Sequence, residues 1–155
     1  MTSTIETRLK DLGITIPESA APAAAYLPFS QSGNLLFTSG QLPLKDGKLV
    51  STGLVGRDLT IEQAQEAAKY CAINVLSQAK AALGGDLSRI KRIVKITVFV
   101  ASVVDFTDQH VVANGGSQLF IDVLGDAGKH ARSAVGMAGL PLNAPVEIEA
   151  VIEVA

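Results

Sequence analysis

The segment Ile93-Val94-Lys95-Ile96-Thr97-Val98-Phe99-Val100 constrains the fold more than any other stretch of this chain. It is β-branched and almost continuously apolar, the composition of a strand buried at the centre of a sheet. Period-two alternation puts Ile93, Lys95, Thr97 and Phe99 on one face and Val94, Ile96, Val98 and Val100 on the other. Both faces then need cover.

Two helices supply it on one side. Thr60-Ile61-Glu62-Gln63 is a capping-box pattern that opens a helix to Leu83. Its apolar stripe, Ile61, Ala64, Ala68, Cys71, Val75, Ala79 and Ala82, advances in helical steps. Mostly alanine, it lets the helix lie close to its support, and Gly84-Gly85 ends it. Asp105 is expected to cap a second helix running to Leu124, with Gly125 as the stop. Gly115-Gly116 inside it costs roughly 1 kcal/mol per glycine relative to alanine, which points to a close backbone approach or a kink.

The remaining strands are expected at Tyr26 to Phe29 and Asn34 to Ser39, paired around Ser32-Gly33-Asn34, and at Val135 to Leu140 and Val146 to Val154. Lys45-Asp46-Gly47-Lys48 is a tight turn, since Asp-Gly tolerates positive φ. The order is β-β-(β)-α-β-α-β-β. It predicts an α+β fold, a mixed β-sheet with two helices packed on one face. No helix is left for the other face, so self-association is expected. One domain over residues 1–155 is expected. Ser3 to Leu12 reads as a short helix with Ile5, Leu9 and Leu12 on one face, and Pro17 to Ala25 as a linker or extended arm.

Composition excludes several classes. Apolar residues make up 48% but aromatics only 5%, with no Trp, so the core must be Ala, Val, Leu and Ile. A net charge of −2 argues against nucleic-acid binding, which needs clustered Lys and Arg. The single cysteine, Cys71, cannot form an intrachain disulfide and favours a cytoplasmic setting. It lies on the buried helix stripe, as a small hydrophobe. Met1 to Lys10 carries no apolar signal region, and no apolar run is long enough to span a membrane.

Chemistry concentrates near the end of the chain. Arg132 lies in His130-Ala131-Arg132-Ser133-Ala134-Val135-Gly136, and Glu147 follows fifteen residues later in Val146-Glu147-Ile148-Glu149-Ala150. Both segments read as strands. On adjacent strands they would bring a guanidinium and a carboxylate to one cleft. Arginine offers a rigid fork that matches a carboxylate in two bonds, and glutamate can hold or polarise a water. Together they suggest a site for a small organic acid. Arg132 could equally pair with Glu147 or Glu149 to tie two strands. His130 stands close enough to Arg132 to line such a cleft. Neither His110 nor His130 has a second histidine or acid at ligand spacing, so no metal site is expected.

Three motifs in order resemble one known family. Gly33-Asn34-Leu35-Leu36-Phe37-Thr38-Ser39-Gly40-Gln41-Leu42-Pro43 resembles the signature strand of the reactive-intermediate deaminase family, also called YjgF-like or endoribonuclease L-PSP-like. Ile93 to Val100 with Asp105-Phe106 matches its central strand and second helix. Arg132-Ser133 through Leu140-Pro141 to Glu147-Ile148-Glu149-Ala150 matches its C-terminal signature. The resemblance covers roughly Tyr26 to Ala155, which makes residues 1–23 an N-terminal extension.

The resemblance implies a YjgF-like, chorismate-mutase-like fold, a homotrimer with clefts between subunits, and no metal or cofactor. It implies hydrolysis of amino-acid-derived imines or enamines to a 2-keto acid and ammonia. By position, Arg132 corresponds to the arginine that clamps the substrate carboxylate and Glu147 to the carboxylate that orients the attacking water. Asn114 matches an asparagine on the second helix, Ser39 lies on the signature strand near the substrate, and Tyr26 has the spacing of the cleft tyrosine. The sequence departs from the family at Ala24-Ala25 before Tyr26, at His130 where proline is usual, and at Ala134, where a cysteine is often found. The Ala134 carbonyl could still hold a water. These departures mark a divergent subgroup. The alternatives to deamination are a non-catalytic or regulatory binder of small carboxylates and, last, an endoribonuclease. The last would want a paired histidine set and a basic stripe, which the chain lacks, and more aromatics for stacking than its few.

Overall fold

The computed structural model describes residues 4–19 and 25–155. The chain opens with α1, Ile5–Leu12, capped by the Thr4 hydroxyl, which accepts from the Thr7 amide at 3.1 Å, and stopped by Gly13 at φ 68°. Ile5 and Leu9 lie half-buried against the core, but Leu12 is 42% exposed and turns away from it. The Arg8 guanidinium reaches the Val123 carbonyl at 3.5 Å, and the Ser77 hydroxyl donates to the Pro17 carbonyl at 2.6 Å. These bonds tie the N-terminal segment to the body. The arm expected over Pro17 to Ala25 falls largely outside the described residues.

β1 (Phe29–Ser32) and β2 (Leu35–Thr38) form an antiparallel hairpin. The first strand begins at Phe29, rather than ending there, because Tyr26 to Pro28 forms an exposed bend. β3 (Leu44–Lys45) and β4 (Lys48–Leu49) make a separate two-stranded ribbon, with Asp46 and Gly47 at φ 53° and 79° as the Asp-Gly turn requires.

α2, Ile61–Ala82, has the capping box in full: the Thr60 hydroxyl accepts from the Gln63 amide, and the Gln63 side chain accepts from the Thr60 amide. Ala64, Ala68, Cys71, Val75 and Ala79 of its stripe are buried, and Ala82 at its end is half-buried. Burial pushes the Cys71 thiol well up, so it stays protonated.

β5, Ile90–Ala101, is the central strand, longer than its apolar run. Register irregularities at Lys91 and at Val94 change its facing. Ile93 therefore joins Ile96, Val98 and Val100 in the core instead of sharing a face with Lys95, Thr97 and Phe99. α3 spans Gln109–Leu124. Asp105 is not its cap. Residues 103–106 close a turn through a bond from the Phe106 amide to the Val103 carbonyl, and the helix starts after Asp108. Gly115 explains how close α2 and α3 lie, since a β-carbon there would sit 2.1 Å from the Gln65 carbonyl oxygen. The glycine pair marks close approach.

β6 spans Ala131–Met137 and β7 Val146–Val154. Leu140 lies past β6, beside the tight turn Pro141–Asn143. The main sheet has the order β1-β2-β7-β5-β6, with β6 parallel to β5 and the other pairs antiparallel. α2 and α3 cover one face, and the core between runs from Ile16 to Val154. The uncovered face carries Phe37, Lys95, Thr97, Phe99, Val135 and Glu149, a mixture rather than an apolar sheet. No helix among the described residues is long and apolar enough to cross a membrane.

Candidate functional site

Strand order separates two residues expected side by side. β5 lies between β6, which carries Arg132, and β7, which carries Glu147. Register separates them further. Arg132 pairs with Ile96, which is buried under the helices, whereas Glu147 pairs with Phe99 on the uncovered face. Partners across a sheet point the same way and alternate residues point oppositely. The two side chains therefore leave opposite faces, from backbone positions about 14 Å apart on ordinary strand spacing and rise. No bond joins Arg132 to Glu147 or Glu149 among the described residues.

Arg132 sits on the edge strand and folds onto α3. Its Nη1 donates to Asn114 Oδ1 at 2.9 Å and to Ser117 Oγ at 3.0 Å, and its Nη2 donates to the His110 carbonyl at 3.2 Å. Every one of these acceptors is neutral. The Arg132 charge is thus oriented but not neutralised. A guanidinium has five N–H donors, so Nε and one Nη2 hydrogen keep no partner among the described residues. Asn114 lies beside Arg132, one helical turn from Ser117.

Ser117 escaped the sequence reading. The available signal was its spacing, three residues after Asn114 on the same helix face. Its hydroxyl also meets His130 Nε2 at 2.8 Å, while His130 Nδ1 lies 2.6 Å from the Gly128 carbonyl. That carbonyl can only accept, so Nδ1 carries the hydrogen and Nε2 of the neutral ring accepts from Ser117. Burial holds the His130 pKa below its ordinary value, and the Arg132 charge adds to this against the opposing pull of the Gly128 carbonyl. The ring is neutral at neutral pH. Its edge-to-face contact with Phe120, centroids 5.8 Å apart, fixes its plane.

Glu147 is half-buried and takes no hydrogen bond or ion pair among the described residues. Burial raises its pKa above the usual carboxylate value, and the neighbouring charge of Glu149 raises it further. Gly40 makes room for it: a β-carbon there would lie 2.7 Å from Glu147 Cδ and Oε2. Ser39 precedes that glycine and donates its hydroxyl to the Leu27 carbonyl at 2.6 Å, pinning the bend that carries Tyr26. Tyr26 is 63% exposed. Ala134 lies on β6 two residues beyond Arg132 and faces the same way. The expected residues thus form two groups. Arg132, Asn114 and His130 come together at the β6 edge, and Glu147 lies with Gly40 and Ser39 along β7.

Comparison with known proteins adds independent findings. The family described as "YjgF/chorismate mutase-like, putative endoribonuclease" matches residues 6–153. Protein TCP17 of Trypanosoma cruzi is 49% identical over 150 residues, 96% of this chain and 93% of that protein. The 2-iminobutanoate/2-iminopropanoate deaminase of Escherichia coli K12 is 32% identical over 139 residues, 88% of this chain and 94% of the deaminase. A crystal structure of an Agrobacterium tumefaciens protein described as of unknown function superposes with a TM-score of 0.92 at 57% identity, covering 98% of this chain and 94% of that one.

Proposed function

The chain belongs to the YjgF/chorismate mutase-like family, and from that premise we propose that it hydrolyses small 2-imino acids to 2-keto acids and ammonia in a cleft between subunits of a homotrimer. The observation that carries this reading is Arg132, oriented by three neutral acceptors and left with N–H donors unpaired among the described residues. Such a group is preorganised for a carboxylate. The deaminase among its relatives acts on substrates of this chemical class by its name.

In this reading Arg132 holds the carboxylate and leaves the imine carbon exposed to water. A water held by Glu147 adds its oxygen to that carbon. The C–N bond breaks, and the protons of the water leave with nitrogen as ammonia. Because Arg132 and Glu147 leave opposite faces of one sheet, the Glu147 of one subunit must serve the Arg132 of a neighbour. Tyr26 and Ser39, on the Glu147 side, would line the same cleft, with Asn114, His130 and the Ala134 carbonyl on the Arg132 side. Ammonia release from freshly generated 2-iminobutanoate tests this, with spontaneous hydrolysis as the baseline. A rate no greater than that baseline would sink it.

The same separation favours a second reading. Among the described residues of one chain, Arg132 stands without a carboxylate partner to activate water, which is what a non-catalytic binder of small carboxylates would show. Saturable 2-keto acid binding without ammonia release would select it. An endoribonuclease ranks last, given the net charge of −2 and 5% aromatics.

A further inference from the structure

We propose that Ser117 and His130 are positioning residues that hold Arg132 in its ligand-ready orientation, an inference that rests on reading Arg132 as the carboxylate clamp. With the His130 ring neutral, the geometry admits one pattern of donors and acceptors. The Gly128 carbonyl accepts from His130 Nδ1, His130 Nε2 accepts from the Ser117 hydroxyl, and Ser117 Oγ accepts from Arg132 Nη1. Each bond polarises the next, so the serine oxygen is a stronger acceptor than an isolated hydroxyl.

The anchor of this chain is rigid. Gly128 is buried so tightly that a β-carbon would lie 2.1 Å from the Phe120 carbonyl oxygen. Phe120 also fixes the plane of the His130 ring. Rigidity therefore passes from the core through the imidazole and the hydroxyl to the guanidinium. With Asn114 on the other Nη1 hydrogen, Nη1 is fully occupied. Nε and the remaining Nη2 hydrogen are left to meet the ligand. An unbraced arginine at a sheet edge would lose rotamer freedom each time it bound an anion.

The test is calorimetric affinity for 2-oxobutanoate at neutral pH, on variants shown by circular dichroism to be folded. Ser117→Ala is expected to weaken binding about ten-fold, the scale of one hydrogen bond to a charged group. Ser117→Thr keeps the hydroxyl and should recover most of that loss. His130→Phe removes the acceptor behind the hydroxyl and should weaken binding in the same direction. In an Arg132→Ala background Ser117→Ala should change nothing further, because its effect passes through the guanidinium. Undiminished affinity in Ser117→Ala, or an equal loss with and without Arg132, would overturn the positioning role. Labelling of Ser117 by a serine-directed fluorophosphonate would also overturn it, making the serine a nucleophile. If Arg132→Ala itself leaves affinity intact, the clamp reading fails. If Arg132→Ala weakens binding and Ser117→Ala does not, only the positioning role falls.

Discussion

Arg132 and Glu147 leave opposite faces of one sheet, with β5 between their strands. A single copy of the chain therefore cannot bring both to one small ligand, and a site that uses both must be shared between copies. If those copies form the proposed homotrimer, sedimentation should give about three times the 16.1 kDa chain mass. A monomer at micromolar concentration would remove the shared cleft and leave the Arg132 cluster as the whole site.

Arg132→Ala should weaken 2-keto acid binding about 10- to 150-fold, the equivalent of the roughly 1.5–3 kcal/mol typical of charge-assisted hydrogen bonds. Its partners are neutral and lie near the surface, so thermal stability should change little. Arg132→Lys should recover only part of the affinity, because the planar fork is lost. Isothermal calorimetry reads both.

Glu147→Gln should lower ammonia release while affinity for the anion is kept or slightly improved, because a like charge is removed. The wild-type rate should fall with acidity through a value above the ordinary carboxylate range, since burial raises the Glu147 pKa. The sign for stability is the reverse of a salt-bridged carboxylate. A raised folded pKa means the ionised form is the less tolerated one in the fold, so stability attributable to this group is present at low pH and lost as pH rises through the folded pKa. Glu147→Gln should therefore melt at the wild-type temperature or slightly higher at neutral pH. A clear drop in melting temperature would show that the carboxylate is structural. Gly40→Ala should also depress the rate, since its methyl would press on the Glu147 carboxylate.

Gly115→Ala should destabilise the fold by at least about 1–3 kcal/mol, the usual cost of overpacking. The methyl would meet the Gln65 carbonyl of α2, and backbone cannot rotate aside as a side chain can. Chemical denaturation measures the loss. A neutral outcome would mean that α2 and α3 separate without cost.

Local signals in the sequence translated directly into structure. The Asp46-Gly47 turn, the Thr60–Gln63 capping box, the glycines after α2 and the close approach at Gly115 all appear where the residues imply them. Each depends on a few neighbouring residues and on conformations that only certain side chains allow. Arg132, Asn114 and His130 were likewise legible as candidates, and they converge. What the sequence did not carry was relational. Asp105 is the cap the sequence predicts for α3, but the turn closed by the Phe106 amide moves the helix start beyond Asp108, whose side chain makes no capping bond. Ile93 follows the alternation of its strand only until irregular register turns it into the core. The insertion of β5 between β6 and β7 is a long-range pairing that no local pattern specifies. That pairing, with its register, sends Arg132 and Glu147 to opposite faces. Residue chemistry is local and was readable from the chain; sidedness arises from contacts between distant segments, so only the tertiary structure decided it.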